Sequence, residues 1–310
     1  MAISSIDDIL KANALGNRCK YTWNKQTGGA AYLAGRWYNT ATLNGKPPPM
    51  LHTLGRPNAA MAMVADTTPG IFGTIFHGGN VAPLSKYLTS IEVHSTTSTG
   101  ITSWLMLVDI LMTYPQLNMN STSQIALENV AALPRYADGK GVMMFLEATS
   151  TLGAANGVLH STGFTYTNSA GVSGRNVPGT ANAPATGGPL TFNLSSIVPT
   201  IANSGVTAGA YGFNFAPFFP LAAGDAGVRS VENFQLYIAM GASNAALVLC
   251  KPLAQVPVQN QYVPSGRDFV YNIPTMPRVY DGACLAFLLF CGAAAASPTN
   301  FVATLNFVWG

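Results

Sequence analysis

The chain has 310 residues, of which 48% are hydrophobic and only 9% charged, and its formal net charge is +3 at pH 7. A typical soluble domain is about 25% charged, so the surface of this chain is expected to be partly covered by another molecule. The basic residues are scattered, which argues against a nucleic-acid-binding surface, and the length suits one large β domain or two smaller ones.

A lipid bilayer is a poor candidate for the covering molecule. A membrane-spanning helix needs about 20 consecutive apolar residues, but the longest apolar runs are Ala283–Phe290 and Trp104–Met112, the second interrupted by Asp109. The first residues, MAISSIDDILKANAL, lack the basic start and apolar core of a signal peptide. An outer-membrane β-barrel is a weaker alternative, because its strands alternate. We expect other protein subunits, and no membrane, to cover the surface.

The N-terminal segment 1–60 is predicted to be an arm that carries one short helix. Ser4 or Ser5 is suited to cap the helix, because a serine oxygen at that position accepts a bond from a backbone N–H. The predicted apolar face consists of Ile6, Ile9 and Leu10. A helix this short and this close to the terminus is predicted to dock on a neighbouring subunit.

The predicted body begins at residue 61 and runs to residue 310. Leu88–Val93 is predicted to be a strand, and Ile101–Thr113 is apolar enough for either a strand or a helix that Pro115 ends. Ile125–Leu133 is shorter and amphipathic.

Two runs with the period of a pleated strand follow at the centre of the chain. In Val142–Ala148 and in Gly163–Asn168, successive side chains alternate between two faces. Asn168 is followed by Ser-Ala-Gly, and such residues tolerate the backbone angles of a chain reversal. The two runs are therefore predicted to pair as antiparallel strands.

A long loop is predicted at 176–206. Its four prolines are Pro178, Pro184, Pro189 and Pro199. Proline cannot donate to a sheet ladder, and loops of this length are usually functional or disordered. In an assembly the loop is expected to reach a neighbouring subunit.

The C-terminal third contains the clearest strand patterns. The predicted strands are Val231–Ala239, Ala245–Lys251, Ala283–Phe290 and Phe301–Trp309. Ala283–Phe290 is apolar on both faces, which is typical of a central strand. Phe301–Trp309 alternates strictly, with large apolar residues on one face. Many short strands with abundant Gly and Pro predict an all-β fold, a β-sandwich or jelly-roll-like body with long loops.

No motif for catalysis, metal binding or cofactor binding is present in the sequence. His77-Gly78-Gly79 resembles an oxyanion-hole segment of esterases, but the G-x-S-x-G elbow that should accompany it is missing around Ser173. The four histidines have no metal-ligand spacing. Asp138 and Glu147 are candidates for a glycosidase pair, which forms in space and not in sequence, but nothing in the sequence singles out this pair. We therefore expect no enzyme activity, no metal and no cofactor.

The cysteines are expected to be free thiols. Cys19, Cys250, Cys284 and Cys291 form no Cys-x-x-Cys pair. Their apolar surroundings favour buried, reduced side chains. Assembly in the cytosol is consistent with that state.

An aromatic cluster supplies the candidate binding residues. The cluster consists of Tyr211, Phe213, Phe215, Phe218 and Phe219. Packing in a core or at a subunit interface is the first interpretation, and a glycan-binding surface is the alternative from another class of function. A glycan array should then show a hit that Phe218→Ala removes.

Five phrases of the chain resemble a group of virion proteins of tailed bacteriophages. They are LPRYADGKGV (Leu133–Val142), YTNSAGVSGR (Tyr166–Arg175), FFPLAAGDAGVRSVENFQL (Phe218–Leu236), YDGACLAFLLF (Tyr280–Phe290) and NFVWG (Asn306–Gly310). The likeness lies in phrasing and contains no catalytic motif. It implies a structural part of a virion and implies no catalytic residues.

Four places in a virion are compatible with that resemblance. The first is a capsid decoration or cement protein, which binds over seams between capsid subunits and stabilises the head. The second is a major capsid protein, although the long spine helix of that fold is not found here. A tail component is third, and a receptor-binding fibre is fourth. The implied partners are other copies of this chain and capsid subunits, without specific nucleic acid.

Overall fold

The computed structural model describes residues 3–27, 32, 35–65, 73–150, 158–177, 197–198, 217–239, 244–292 and 299–310. Strands make up 49% of the structure and helix 8%, so the chain is all-β, as predicted. The helix α1 is Ile6–Ala14, and short 3-10 turns lie at Thr40–Thr42, Ser98–Gly100 and Val270–Thr275.

The described strands are β1 (Arg18–Gln26), β2 (Arg36–Asn39), β3 (Gly45–Lys46), β4 (Met61–Ala62), β5 (Lys86–Ser95), β6 (Ser103–Asn118), β7 (Ile125–Ala126), β8 (Met143–Ala148), β9 (Val158–Asn168), β10 (Arg175–Asn176), β11 (Ile197–Val198), β12 (Val228–Ile238), β13 (Asn244–Val258), β14 (Ser265–Asp268), β15 (Arg278–Val279), β16 (Cys284–Cys291) and β17 (Asn300–Trp309).

The chain divides into two compact units. Unit 1 comprises Met1–Leu51, Val64–Asp109 and Leu253–Gly310, and unit 2 comprises His52–Met63 and Ile110–Pro252. The boundaries fall within β6 and β13, so each of these strands contributes one part to each unit. Each unit has its own hydrophobic core.

Unit 1 is a sandwich of two sheets. One sheet has the order β14-β5-β17-β1-β3, with β15 also paired to β5, and the other contains β13, β6, β16 and β2 in that order. The core lies between them and includes Trp23, Ile91 and Leu305 from the first sheet and Leu107 and Phe287 from the second. The rings of Trp23 and Phe287 meet edge to face at 4.9 Å.

Unit 2 is also a sandwich. Its first sheet has the order β10-β9-β12-β7, and its second contains β11, β8, β13 and β6 in that order, with β4 also paired to β6. Phe164 of β9 lies 4.9 Å from Phe219 and 5.0 Å from Phe234, measured between ring centroids. These rings pack in one core with Leu146 and Leu247 of the second sheet.

The N-terminal segment differs from the predicted arm. The predicted short helix is confirmed as α1, but β1 pairs with β17 along its whole length and lies inside the six-stranded sheet of unit 1. Residues 1–60 and 61–310 are therefore not an arm and a body. The long antiparallel partner of β1 comes last in the chain, so nothing in the local pattern of residues 1–60 indicated it.

The strand positions at the centre of the chain are confirmed, but their predicted pairing is wrong. β8 pairs with β13 and β11, whereas β9 pairs with β12 and β10. Alternation gives the two faces of a strand and does not identify its neighbour.

Three further predictions have mixed outcomes. Ile101–Thr113 forms a strand from Ser103 onward, and this strand, β6, does not end before Pro115 as predicted but continues to Asn118. Within Ile125–Leu133 only β7 is regular. The predicted loop 176–206 lies largely outside the described residues, although its first residue belongs to β10 and β11 also falls within it.

The last strand follows its prediction closely. Phe301, Ala303, Leu305 and Phe307 are buried in alternation along β17. Val308 on the other face is buried as well, whereas Trp309 at the end of the predicted buried face is only partly buried.

Candidate interaction surfaces

The helix α1 lies at one end of the six-stranded sheet of unit 1. Arg18, at the start of β1, pairs with Val308, and Trp309 pairs with Lys86 of β5. The helix precedes β1 directly, and Trp309 N donates to Asn17 O over 3.1 Å. This end of the sheet is called the α1 end below.

Hydrogen bonds of its first turn define the start of α1. Ser5 is the N-cap, and its oxygen accepts a bond from Asp8 N at 3.2 Å, while the Asp8 carboxylate accepts bonds from Ser4 N and Ser5 N at 3.0 Å. The bond from Ser4 N and the serine hydroxyls lower the pKa of Asp8 to about 2. Both partners of this capping box therefore keep their roles at neutral pH.

The apolar face of α1 is not the predicted one. Ile9 and Ala12 are buried in the unit 1 core, whereas Ile6 is 50% and Leu10 61% exposed. Ile6, Leu10 and the exposed Ala14 are spaced by four residues, so they form one line along the outer surface of the helix. This line is called the α1 stripe below. A short helix whose inner and outer faces are both apolar does not reveal from its sequence which face is covered.

A second exposed apolar group lies at the opposite end of the same sheet. Tyr262 is 66% and Val263 58% exposed. Tyr262 N donates to Ser95 O over 2.9 Å, and Ser95 pairs with Phe301 at the start of β17. Large side chains this exposed, at both ends of one sheet, are candidates for contact with other molecules.

The two described residues of the predicted aromatic cluster, Phe218 and Phe219, do not form an outward-facing surface. Tyr211, Phe213 and Phe215 lie outside the described residues. Phe219 is 1% exposed and belongs to the unit 2 core, and Phe218 is half-buried with its ring 6.4 Å from that of Phe145. Phe219 is therefore a core residue and not an interface residue. A run of aromatics does not by itself separate interior from exterior.

A polar network in unit 2 joins Tyr166, Asn168 and Arg175 to the loop that contains Asp225. The carboxylate of Asp225 accepts hydrogen bonds from Tyr166 Oη and Asn168 Nδ2, both at 2.6 Å, and from Arg175 Nε at 2.9 Å. Tyr166 Oη also accepts a bond from Ala222 N at 2.8 Å. The network fastens the loop before β12 to the hairpin of β9 and β10.

The charges of this network fit a structural role. Burial acts to raise the pKa of Asp225, but the bonds from Tyr166, Arg175 and Asn168 outweigh it and the pKa lies below its usual range. Burial, with the bond to Asp225, raises the pKa of Tyr166 to about 12. At neutral pH the carboxylate is thus ionised and the phenol protonated, which is the state that a fixed ion-pair and hydrogen-bond cluster needs.

The His77-Gly78-Gly79 segment belongs to a buried lysine site at the α1 end. Lys86 Nζ donates to His77 Nδ1 over 2.8 Å, to Gly79 O, and to Asp281 Oδ1 over 3.4 Å. Because the ammonium of Lys86 is only a donor, His77 Nδ1 is an acceptor, and Nε2–H faces Ala283 O at 3.2 Å. The histidine ring thus holds the Lys86 side chain in this loop.

Two other residues of the hydrolase and glycosidase alternatives also have structural partners. Glu147 is 1% exposed and its carboxylate lies 2.8 Å from His52 Nε2. Asp138 Oδ1 accepts a bond from Lys140 N at 3.0 Å in a tight turn. A glycosidase needs two carboxylates that meet the substrate, and the burial of Glu147 rules it out for that role.

The cysteines are free, as expected from their spacing. Cys250, Cys284 and Cys291 are buried, and Cys19 is half-buried. In the described ranges no group of three or more His, Cys, Asp or Glu side chains is arranged to hold a metal ion. No helix in the described part of the chain is long and apolar enough to cross a bilayer.

Comparisons with known proteins give no relative. No protein-family model, no curated protein and no solved structure matches this chain.

The Asp225 network was missed by sequence reasoning. Its members Tyr166 and Asp225 are far apart in the chain, and no short motif links them.

Proposed function

We propose that this chain is a non-enzymatic structural protein of a virion, and that it works as a capsid decoration protein, bound over seams between capsid subunits. Its partners are other copies of itself and capsid subunits, and it needs no cofactor. The observation that carries the proposal is the exposure of large apolar side chains at both ends of one sheet, in a chain of which only 9% is charged. Such surfaces are stable in water when neighbours cover them.

The strand edges support contact through side chains. Among the described residues, the outer strands β3, β7, β10 and β11 have two residues each, and β14 and β2 have four. Short edge strands prevent neighbouring subunits from extending the sheets. Contacts with other subunits would therefore form on the sandwich ends, where Leu10 and Tyr262 are exposed.

A decoration protein stabilises a shell through the apolar surface that it buries on the capsid subunits, and it needs no catalytic reaction for this. Burying about 1,000 Å² of apolar surface contributes roughly 25 kcal/mol before the costs of association are subtracted. Many copies arranged by symmetry multiply the effect on the shell.

The test is to locate the chain in purified phage particles. Heads and tails are separated, and each fraction is analysed by mass spectrometry. A decoration protein is present in the heads in many copies, and heads without it lose their DNA at a lower temperature. Detection in tails alone would favour the tail alternative, and absence from both fractions would refute the virion role.

One observation favours a competing function, a glycan-binding module. Tyr271 and Tyr262 expose aromatic rings of the kind on which sugars stack, although they are not the residues expected from the sequence. A glycan array probed with the full chain tests this function. A hit that Tyr271→Ala abolishes, with an unchanged melting temperature, would support it over the structural role.

A further inference from the structure

We propose that two copies of this chain contact each other through their α1 stripes, with the two helices antiparallel about a twofold axis. The purpose of the contact, joining neighbouring copies on a shell, rests on the proposed function. The contact itself is inferred from the geometry and charge of α1.

The α1 stripe is held ready for a partner. Its helix is fixed from inside by Ile9 and Ala12 in the core and at its start by the capping box of Ser5 and Asp8. Ile6 and Leu10 are nevertheless 50% and 61% exposed. A preformed helix loses little conformational freedom when a partner covers its outer face.

The spacing of the stripe suits a second copy of itself. Ile6, Leu10 and Ala14 are four residues apart, which is about 6 Å along a helix axis. When a second α1 runs antiparallel with its centre opposite residue 9, its stripe side chains fall midway between those of the first. Side chains of the two copies then alternate at intervals of roughly 3 Å, so that Leu10 of one copy lies between Ile6 and Leu10 of the other.

The charges beside the stripe select the antiparallel orientation. Asp7 and Lys11 are exposed, four residues apart, and lie on the same flank of the stripe. In an antiparallel pair about a twofold axis, each flank faces the same flank of the other copy, running in the opposite direction. Asp7 of each copy then faces Lys11 of the other, in the same register that interleaves the apolar side chains. A parallel pair would place this flank against the Asn13 side and form no ion pair.

The contact is small, so it is weak in free solution. α1 has 9 residues and is about 14 Å long, and its stripe covers much less than the roughly 800 Å² per partner of a stable interface. On a shell that holds many copies, the effective local concentration reaches the millimolar range. A weak twofold contact of this kind is sufficient there.

The test uses the full chain and measures self-association by sedimentation equilibrium over a wide range of protein concentration at low salt. Leu10→Lys should abolish the concentration-dependent rise in mass. Leu54→Lys, at a residue 57% exposed in unit 2, is the matched control and should leave the rise unchanged. Circular dichroism and the melting temperature verify that each variant is folded.

A charge swap then tests the orientation. Asp7→Lys alone and Lys11→Asp alone each replace two attractive contacts by two repulsive ones, so each should lower the association constant about tenfold. The double variant restores opposite charges and should return to within about twofold of the parent. Three outcomes would overturn the proposal. The association constant falls equally in the single and double variants, or association does not respond to Leu10→Lys, or the parent chain is strictly monomeric.

The outcome is separate from that of the particle experiment. Failure of the charge swap, with the chain present in heads, would overturn the α1 contact and leave the structural function in place. Rescue by the double variant, with the chain absent from particles, would support the α1 contact and overturn the structural function.

Discussion

Phe307 provides the most direct test of the unit 1 sandwich. Its side chain is 2% exposed on β17, which pairs with β1 on one side and β5 on the other, and its ring faces that of His77 at 6.3 Å. Phe307→Ala removes the ring from a site that other groups cannot fill without moving the sheet. Truncations of this kind cost about 3–5 kcal/mol.

The size of unit 1 sets how far this loss of stability lowers its melting temperature. For a unit of 150–250 residues, each kcal/mol lowers the melting temperature by about 2–4 °C. Phe307→Ala should therefore lower the transition of unit 1 by roughly 6–20 °C. The matched control is Asn306→Ser on the opposite face, whose amide bonds only to Ser90 Oγ at 2.9 Å and which should cost under about 1 kcal/mol.

The assay is tryptophan fluorescence, because all four tryptophans report on unit 1. Trp23, Trp37, Trp104 and Trp309 belong to that unit and none to unit 2. Thermal and urea transitions followed at the emission maximum therefore describe the affected sandwich directly. Identical midpoints for Phe307→Ala, Asn306→Ser and the parent would refute the burial of this strand face.

Three further predictions follow from other parts of the structure. Asp225→Asn should make the loop before β12 more sensitive to limited proteolysis, since it weakens the bonds to Arg175 and Tyr166; because the pKa of Asp225 is lowered on folding, its stabilisation is present above about pH 4 and is lost as the pH falls below it. Ser5→Ala should destabilise α1 by about 1 kcal/mol while Ser5→Asp should not, as measured by hydrogen exchange of the first helical turn. Tyr271→Ser should change unfolding free energy by less than about 0.5 kcal/mol, because the side chain is 89% exposed.

The sequence predicted strands well and their neighbours poorly, for a physical reason. Along β17 a strict period of two marks one buried face, and this information is local. The partner of a strand depends on distant segments: β8 lies beside β13, about a hundred residues away, and the adjacent strand β9 belongs to a different sheet. Hydrophobic alternation is satisfied equally by any partner that covers the same face.

The candidate site shows the same limit in another form. The outer and inner faces of α1 are both apolar, so the helix was predicted correctly and its buried face was not. Phe219 and Phe218 are neighbours in the sequence, yet only Phe219 is a core residue. Whether an apolar side chain is covered by its own chain or left for another subunit depends on the tertiary fold.

The proline in β6 illustrates how a local rule is overridden. Proline usually ends a buried strand because it cannot donate a backbone hydrogen bond. Here Pro115 O accepts a bond from Asn58 N at 3.0 Å, and Gln116 adopts a φ of 57° that bends the strand before it continues to Asn118. The proline therefore lies within the strand and does not end it.

The buried Lys25 makes the stability of unit 1 increase with pH in the alkaline range. Its side chain is 1% exposed, and Nζ donates to Leu43 O over 2.7 Å and to Pro48 O over 3.3 Å. Burial lowers its pKa from 10.5 to about 8. Between these two values the unfolded chain binds more protons than the folded chain, so the free energy of unfolding rises with pH, by up to about 3 kcal/mol from Lys25.

Lysine variants separate this contribution from other titrations. Lys25→Met should flatten the rise in urea midpoint of the tryptophan transition between pH 7 and 10, whereas the exposed Lys20→Met on the same strand should keep the parental slope. The flattening should be partial, because burial also lowers the pKa of Lys86 and contributes a slope of the same sign. The carbonyls of Leu43 and Pro48 lose their donor in Lys25→Met, so its deficit against the parent should be largest at high pH, where the parental amine is neutral and still hydrogen-bonded. A variant with the parental slope would show that Lys25 is solvated, contrary to the burial seen in the structure.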